Sequence, residues 1–182
     1  MVKNNYKKIG ILGGSFDPPH KGHLFITRKT LQLFNIDRVI WAITKKNPFK
    51  KKPFFSLKLR KKLCQKLLKR EKKIEIKYYE NKLKSNSTYA LVKYLKKSYG
   101  CEVFFIIGAD NLINLHRWKY SKELIKITKF IVFSRKGYDT KAKKSVIMGH
   151  LTKKNIKFLK NLRFNTSSTK LRNKFINGNE KN

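Results

Sequence analysis

One segment near the N-terminus restricts the folds open to this chain more than any other. Residues 9–12 form an apolar run typical of a buried strand, and residues 24–34 form an amphipathic stretch typical of a helix. Between them lies Gly-Gly-Ser-Phe-Asp-Pro-Pro-His-Lys-Gly-His, from Gly13 to His23. Glycines let the backbone approach an anion, and the free N–H groups of a helix's first turn point at it. A strand, a glycine turn and a helix in this order predict a phosphate site.

His20 and His23 add two imidazoles to this turn. Because they lie three residues apart at a helix start, they can share one face of the helix. Ordinary helix-end histidines and a metal pair are the other interpretations. A zinc site is disfavoured because no C-x-x-C pair or third ligand stands near them in the sequence, where the remaining candidates are Cys64, Cys101, His116 and His150. Lys21, between the two histidines, is expected to point to solvent, and Asp17 is expected to fix the turn.

Apolar runs and helical patterns alternate along the rest of the chain. The predicted strands are residues 8–12, 38–44, 74–77, 103–107 and 130–134, with a weaker one at 156–159. The predicted helices are residues 23–34, 57–70, 89–99, 121–126 and 168–176. This alternation predicts an α/β fold, a single Rossmann-like doubly wound parallel sheet flanked by helices. Ligands of such sheets bind beyond the carboxyl ends of the strands.

Length and composition favour one domain. The 182 residues, 40% of them hydrophobic, suffice for one core, and no linker interrupts them, so residues 1–182 are predicted as a single domain with 176–182 as a frayed tail. Residues 44–54 and 137–145 are predicted as polar loops. No apolar run approaches the roughly 20 residues of a membrane span, and the N-terminus lacks a signal-peptide pattern. With two isolated cysteines, a reducing cytoplasm is the expected compartment.

The charge of the chain is extreme, with 46 Lys and Arg against 10 Asp and Glu and a net charge of +36. A basic, non-catalytic nucleic-acid-binding module is one interpretation. Such a module needs basic and aromatic side chains clustered on one face, whereas these lysines are scattered. Codons for Lys, Asn and Ile are AT-rich, so genome composition accounts for the pattern. No specific nucleic-acid partner and no membrane are therefore expected, and the sequence carries no sign of the oligomeric state.

A second anion site is possible at the last predicted helix. Ser167, Ser168 and Thr169 cluster at its start, where hydroxyls cap free N–H groups. Arg172 lies one turn further along, and its guanidinium suits phosphate oxygens. Simple capping and phosphate binding both remain open for this cluster.

Gly108 and Asp110 directly follow the predicted strand at residues 103–107. A carboxylate just beyond a strand end suits ribose hydroxyls. The other interpretation of Asp110 is an N-cap for a helix at residues 111–115. The two roles are compatible.

The residues from Gly13 to His23 resemble the signature G-G-[ST]-F-[DN]-P-x-H-x-G-H of the H-x-G-H nucleotidylyltransferases. Within them the chain is similar to the bacterial nicotinate-nucleotide adenylyltransferase family over about residues 9–175. The further matching blocks are residues 87–90, 105–112, 118, 134–138 and 166–172. Phosphopantetheine adenylyltransferases and cytidylyltransferases are the alternatives within the fold, but they share H-x-G-H without the blocks at 108–111, 118 and 135–138.

The resemblance implies ATP-dependent adenylyl transfer to nicotinate mononucleotide, with Mg²⁺ carried by the ATP. His20, His23 and Arg172 would stabilise charge on the phosphates. ATP would be held by the main chain and side chains of the motif blocks, namely Gly13, Gly14, Ser15, Phe16, Gly108, Asp110, Ser167, Ser168 and Thr169.

The same resemblance implies an acceptor site formed by Asn47, Lys50, Thr88, Tyr89 and Trp118. The tryptophan of the family stacks on the pyridine ring, and an Asn-Pro-x-Lys element lies near the acceptor phosphate. Main-chain N–H groups around a Tyr-Thr pair bind the pyridine carboxylate. This chain departs from the family because its order is Thr88-Tyr89.

Overall fold

The computed structural model describes residues 6–47, 49, 52–160 and 167–179. Within them six strands form one sheet in which every pairing is parallel. The strands are β1 (Lys8–Gly14), β2 (Arg38–Ile43), β3 (Ile74–Lys77), β4 (Glu102–Gly108), β5 (Lys129–Phe133) and β6 (Ile156–Leu159). Their spatial order is β3-β2-β1-β4-β5-β6. The predicted α/β class and doubly wound sheet are confirmed.

Helices connect the strands. They are α1 (Lys21–Phe34), α2 (Leu57–Leu67), α3 (Glu80–Leu83), α4 (Thr88–Tyr99), α5 (Ala109–Leu112), α6 (Ser121–Ile127), α7 (Asp139–Lys143) and α8 (Ser168–Asn179). Two short 3₁₀ turns occur at Leu115–Arg117 and Val146–His150. Among the described helices none is long and apolar enough to cross a membrane.

Alternate residues of the strands feed two apolar cores on opposite faces of the sheet. Ile9 and Ile11 of β1 belong to one core, with side chains of α4 and α6, while Leu12 belongs to the other. Trp41 of β2, which is fully buried, joins this second core together with Cys64 of α2. Because the sheet is covered on both faces, β2, β4 and β5 are apolar after their first residue.

Several helix assignments from the sequence were incomplete or wrong. The helix predicted at residues 57–70 ends at Leu67. Residues 137–145 contain helix α7 rather than an irregular loop, because the Asp139 carboxylate accepts hydrogen bonds from the Ser134 hydroxyl and the Arg135 N–H and so fixes the turn that precedes it. Helix α3 was not predicted. Helix α8 continues to Asn179, beyond its predicted end at residue 176.

The topology places the cleft of the protein. Strands β1 and β4 lie side by side at the centre of the sheet, and the chain leaves β1 toward β2 but leaves β4 toward β5. This reversal of strand order opens a crevice beyond their carboxyl ends. The segment after Gly14 and the segment after Gly108 therefore meet there.

Strand β1 tolerates no side chain at Gly10. A Cβ there would lie 2.9 Å from Val39 Cγ2 and 3.4 Å from Ile106 Cδ1, both in the second core. We expect Gly10→Ala to lower the free energy of unfolding by about 1–3 kcal/mol through overpacking. Urea denaturation measures this change in the free energy of unfolding. The matched control is Gly149→Ala, where a Cβ meets no atom within 4 Å; equal effects of the two substitutions would contradict the close packing.

Candidate active site

A cleft of about 570 Å³ lies over the carboxyl ends of β1 and β4. It is lined by most of the residues that the sequence nominated, namely Gly13, Gly14, Ser15, Phe16, His20, His23, Asn47, Thr88, Gly108, Asp110, Trp118, Ser167, Ser168, Thr169 and Arg172. Lys50 lies outside the described residues. Tyr89 is not part of the lining; its ring packs against that of Tyr120, with 5.5 Å between centroids.

The turn from β1 into α1 differs from the glycine turn that the sequence predicted. Gly13 and Gly14 end the strand, and the residue in the left-handed region is Phe16, with φ 49°. Gly13 instead provides space, since a Cβ there would lie 3.1 Å from the Phe105 ring. The Phe16 ring, only 2% exposed, is stacked on Trp41 at 4.8 Å, which holds the backbone in this conformation.

The two histidines cap helix α1 reciprocally. His20 is the N-cap residue, and its Nδ1 accepts a hydrogen bond of 3.1 Å from the Gly22 N–H. His23 Nδ1 accepts one of 3.2 Å from the His20 N–H. Because a backbone N–H can only donate, both Nδ1 atoms are unprotonated, and each neutral ring carries its proton on Nε2. The rings lie close together, with centroids 3.8 Å apart.

His20 is neutral at physiological pH. Burial disfavours the charged ring, and the Arg135 guanidinium adds repulsion, so the pKa of His20 falls from 6.5 to about 4. At neutral pH His20 therefore offers an Nε2–H donor without a positive charge. Such a donor can hydrogen-bond an anion in the partly buried cleft.

Aromatic rings support His23 from behind. Its ring centroid lies 5.0 Å from that of Phe16 and 5.9 Å from that of Trp41. The Trp41 Nε1–H donates to the Thr27 hydroxyl, which in turn donates to the His23 carbonyl. The imidazole of His23 is therefore held by packing against two buried aromatic rings.

Helix α8 attaches to the same turn. The Ser168 hydroxyl donates to the Pro18 carbonyl at 2.9 Å, and Arg172 Nη1 donates to the Asp17 carbonyl at 2.6 Å. Arg172 Nη2 also donates to the Thr169 hydroxyl. The Ser167 hydroxyl accepts from the Lys170 N–H, so capping does occur here. The two anion sites nominated from sequence are thus joined at one end of the cleft.

Asp110 lies inside the first turn of α5, whose N-cap is Gly108 without a side-chain cap. The N-cap interpretation of Asp110 was therefore wrong, because the helix begins at Ala109 rather than at Asn111. Arg135 Nη1 donates to Asp110 Oδ2 at 2.6 Å. Asp110 Oδ1 is buried and has no hydrogen-bond partner among the described residues. This oxygen is a candidate acceptor for a ligand hydroxyl.

The other side of the cleft is formed by α4 and the Trp118 region. Trp118 is half-buried and stands edge-on to Phe105, with 5.7 Å between centroids. Thr88 opens helix α4, where the Ser87 hydroxyl accepts from the Ala90 N–H. Asn47 Oδ1 accepts from the Phe49 N–H, so this side chain shapes its own loop as well as the lining.

Sequence reasoning missed several residues of this region. Asn86 lines the cleft outside every matching block, and Ser87 and Arg135 line it within the blocks at 87–90 and 134–138, which gave them no role. Arg60, buried in α2, donates to main-chain carbonyls behind the lining. Asp17 fixes the turn as expected, since its carboxylate accepts from the Phe54 and Phe55 N–H groups at 2.8 Å each.

The state of His20 can be measured directly. In long-range ¹H–¹⁵N spectra we expect the Nε2–H tautomer at pH 7 and a titration midpoint of about 4, because burial and Arg135 disfavour the charged ring. An Nδ1–H tautomer, or a midpoint near 6.5, would contradict the capping geometry.

Comparison with known proteins agrees with this arrangement. A family model described as cytidylyltransferase-like matches residues 11–174. A Pelagibacter ubique (strain HTCC1062) protein named probable nicotinate-nucleotide adenylyltransferase is 45% identical over 165 residues, covering 91% of this chain and 92% of that protein. An Aquifex aeolicus (strain VF5) protein of the same name is 37% identical over 164 residues, covering 87% and 98%.

Solved structures share the fold. Plasmodium falciparum nicotinic acid mononucleotide adenylyltransferase, complexed with NaAD, matches with a TM-score of 0.72 at 21% identity, over 92% of this chain and 83% of that chain. Its complex with APC matches with a TM-score of 0.73 at 20% identity, with the same coverage. Given the family-model match and the two curated relatives, the chain belongs to the cytidylyltransferase-like family and, within it, to the nicotinate-nucleotide adenylyltransferases.

Proposed function

We propose that this chain transfers the adenylyl group of ATP to nicotinate mononucleotide in NAD biosynthesis. The observation that carries the proposal is the joining of two anion-binding elements, the His20–His23 pair and the start of α8, in a cleft that has Trp118 on its other side. The names of the relatives support the same reaction. Phosphopantetheine adenylyl transfer and cytidylyl transfer are the alternatives, and the first of them is tested by the choice of acceptor below.

The reaction is an in-line displacement at phosphorus. A phosphate oxygen of nicotinate mononucleotide forms a bond to the α-phosphorus of ATP, and the bond from that phosphorus to the oxygen of the β-phosphate breaks. Pyrophosphate leaves with the electron pair, and nicotinate adenine dinucleotide remains. The nucleophile is already anionic, so no general base is required. The protein's task is alignment and stabilisation of charge.

The triphosphate lies at the β1–α1 turn in this proposal. His20 and His23 donate from Nε2 to phosphate oxygens, and the main-chain N–H groups around Gly14 and Ser15 add further donors. Arg172 and the Ser167 and Thr169 hydroxyls act on the same phosphates from α8, while the Ser168 hydroxyl, whose proton is donated to the Pro18 carbonyl, holds α8 against the turn. Asp110 Oδ1 and the Gly108 main chain receive the ribose hydroxyls of ATP.

The acceptor occupies the other side of the cleft. Its pyridine ring packs on Trp118, and its carboxylate meets the first N–H groups of helix α4, at Thr88 and Tyr89. The first turn of a helix has N–H groups without intrahelical partners and a partial positive charge, which favours the carboxylate over an amide. Because main-chain groups do this work, the interchanged Thr88-Tyr89 order is compatible with it. Asn47, with Lys50 as the sequence predicts, would approach the acceptor phosphate.

Mg²⁺ enters this scheme as part of the substrate, bound to ATP. Among the described residues no group of three or more His, Cys, Asp or Glu side chains could hold a metal ion. The Asp110 carboxylate of the cleft is engaged by Arg135. A triphosphate commonly carries Mg²⁺ with waters completing its shell. We further propose that the compartment is a reducing cytoplasm, which the free, buried thiols of Cys64 and Cys101 support. In the same proposal the chain forms a single nucleotidylyltransferase domain.

Replacing His23 by Asn tests the role of the imidazole donor. The Asn Oδ1 can take the place of Nδ1 in capping α1, while no group replaces the Nε2–H. We expect kcat to fall by about 10²–10³-fold or more, the usual effect of losing one donor to a developing charge. Steady-state pyrophosphate release measures it, and circular dichroism checks the fold.

Lys21→Ala is the matched control for His23→Asn. Lys21 lies between the two histidines in sequence but is exposed, so its loss should leave kcat within about twofold. Near-normal turnover by His23→Asn would show that His23 does not act on the phosphates.

Acceptor choice distinguishes this reaction from its relatives. We expect pyrophosphate release from ATP and Mg²⁺ with nicotinate mononucleotide, and at least tenfold lower kcat/KM with nicotinamide mononucleotide, because the N–H groups at the start of α4 prefer a carboxylate. Equal kcat/KM values with the two pyridine nucleotides would show that the start of α4 does not bind the pyridine carboxylate. Pyrophosphate release with phosphopantetheine and with neither pyridine nucleotide would show that phosphopantetheine is the acceptor.

A further inference from the structure

Arg60 is a buried arginine behind the cleft. It lies in α2, is only 2% exposed and does not line the cleft. Its guanidinium donates four hydrogen bonds to main-chain carbonyls. Nε donates to Phe55 O at 3.1 Å, Nη1 to Ser15 O at 2.5 Å and Thr44 O at 2.8 Å, and Nη2 to Lys45 O at 3.1 Å.

These carbonyls belong to the two sides of the proposed reaction. Ser15 is part of the turn assigned to the triphosphate. Thr44 and Lys45 begin the segment that leads from β2 to Asn47, on the side assigned to the acceptor. Ser15 and Thr44 both line the cleft. The single Nη1 atom of Arg60 therefore binds one carbonyl on the side assigned to ATP and one on the side assigned to the acceptor.

Asp17 completes this connection. Its carboxylate, 4% exposed, accepts from the N–H groups of Phe54 and Phe55, directly before α2. Its carbonyl accepts from Arg172. The start of α2, the triphosphate turn and α8 are therefore tied to one another through Asp17, and the acceptor segment is tied to them through Arg60.

The chemistry of the site requires an arginine. Four carbonyls arranged around a plane match the forked donors of a guanidinium, whereas a lysine offers three donors on one nitrogen. Burying this cation is costly, which is why desolvation lowers the pKa of Arg60 while the nearby Asp17 charge opposes that shift. The hydrogen bonds and the Asp17 charge offset the cost.

We propose that Arg60 is a positioning residue for adenylyl transfer that couples the ATP side of the cleft to the acceptor side. Because one guanidinium binds the Ser15 carbonyl and the Thr44 and Lys45 carbonyls, a substrate that draws one wall toward itself moves the other wall with it. The proposal rests on the reaction proposed above. It predicts positive coupling between the two substrates, of the same size in either direction.

The test is a thermodynamic cycle on the full chain. Isothermal titration calorimetry gives the Kd of α,β-methylene-ATP with Mg²⁺, without and with saturating nicotinate mononucleotide. We expect the wild-type chain to bind the analogue about 5–150-fold more tightly with the acceptor present, the usual range of coupling. In Arg60→Met this factor should fall to about 1, and kcat should fall at least tenfold.

Arg70→Met is the matched control, since Arg70 follows α2 but is exposed; it should keep the wild-type coupling and kcat. The coupling factor is the readout that a merely structural role would not move, and Arg60→Ala tests the forked donor itself. Low millimolar guanidinium should restore part of its kcat, while the same concentration of urea should not. Where Arg60→Met does not fold, Arg60→Lys and Asp17→Asn replace it, with reduced coupling expected in both.

A folded Arg60→Met chain with wild-type coupling and kcat would overturn the proposal, as would a wild-type chain that shows no coupling. These results are distinct from failure of the proposed reaction. A wild-type chain that releases no pyrophosphate with nicotinate mononucleotide would overturn the reaction, and the proposed role of Arg60 with it.

Discussion

The site depends on how the chain turns from β1 into α1 without leaving polar groups unpaired. Four carbonyls along this turn accept hydrogen bonds from three other parts of the protein. Gly14 accepts from the Thr44 N–H after β2, Ser15 accepts from Arg60 of α2, and Asp17 and Pro18 accept from Arg172 and Ser168 of α8. A buried carbonyl without a partner would cost about 1–3 kcal/mol, so these bonds favour one arrangement of four separate segments. The cleft is the space that this arrangement leaves open.

The same turn sets the chemical state of the histidines. Because the Nδ1 atoms of His20 and His23 are used to cap α1, the neutral rings present Nε2–H. The same capping bonds fix the two rings relative to the start of the helix. Donors held in this way need little reorganisation when charge develops on a phosphate. The overall charge of +36 acts differently, since it speeds the arrival of anionic nucleotides without selecting among them.

Much of the fold could be predicted from the sequence because its strands are short apolar runs separated by helical patterns, and β3 and β6 were predicted to the residue. Helix α7 was missed because its start depends on a hydrogen bond that the Asp139 carboxylate accepts from the Arg135 N–H, and the polarity of the segment does not reveal this bond. Asp110 was misread as a cap because the helix begins one residue after Gly108.

The motif blocks located most of the cleft, but they did not find Arg60. In so basic a helix as α2 an arginine looks like any surface cation. A signal was nevertheless present, since Arg60, Cys64 and Leu68 follow one another at intervals of four and so share the buried face. A cation on that face needs partners, but their identity depends on how three distant loops pack, which no local pattern specifies.

The most direct test of this account is a crystal structure of the chain with α,β-methylene-ATP and nicotinate mononucleotide bound together. The account predicts phosphate oxygens within hydrogen-bond distance of His20 Nε2, His23 Nε2 and the Arg172 guanidinium, with the pyridine ring against Trp118. A triphosphate bound away from the β1–α1 turn, or a pyridine ring outside the side of the cleft formed by α4 and Trp118, would contradict it.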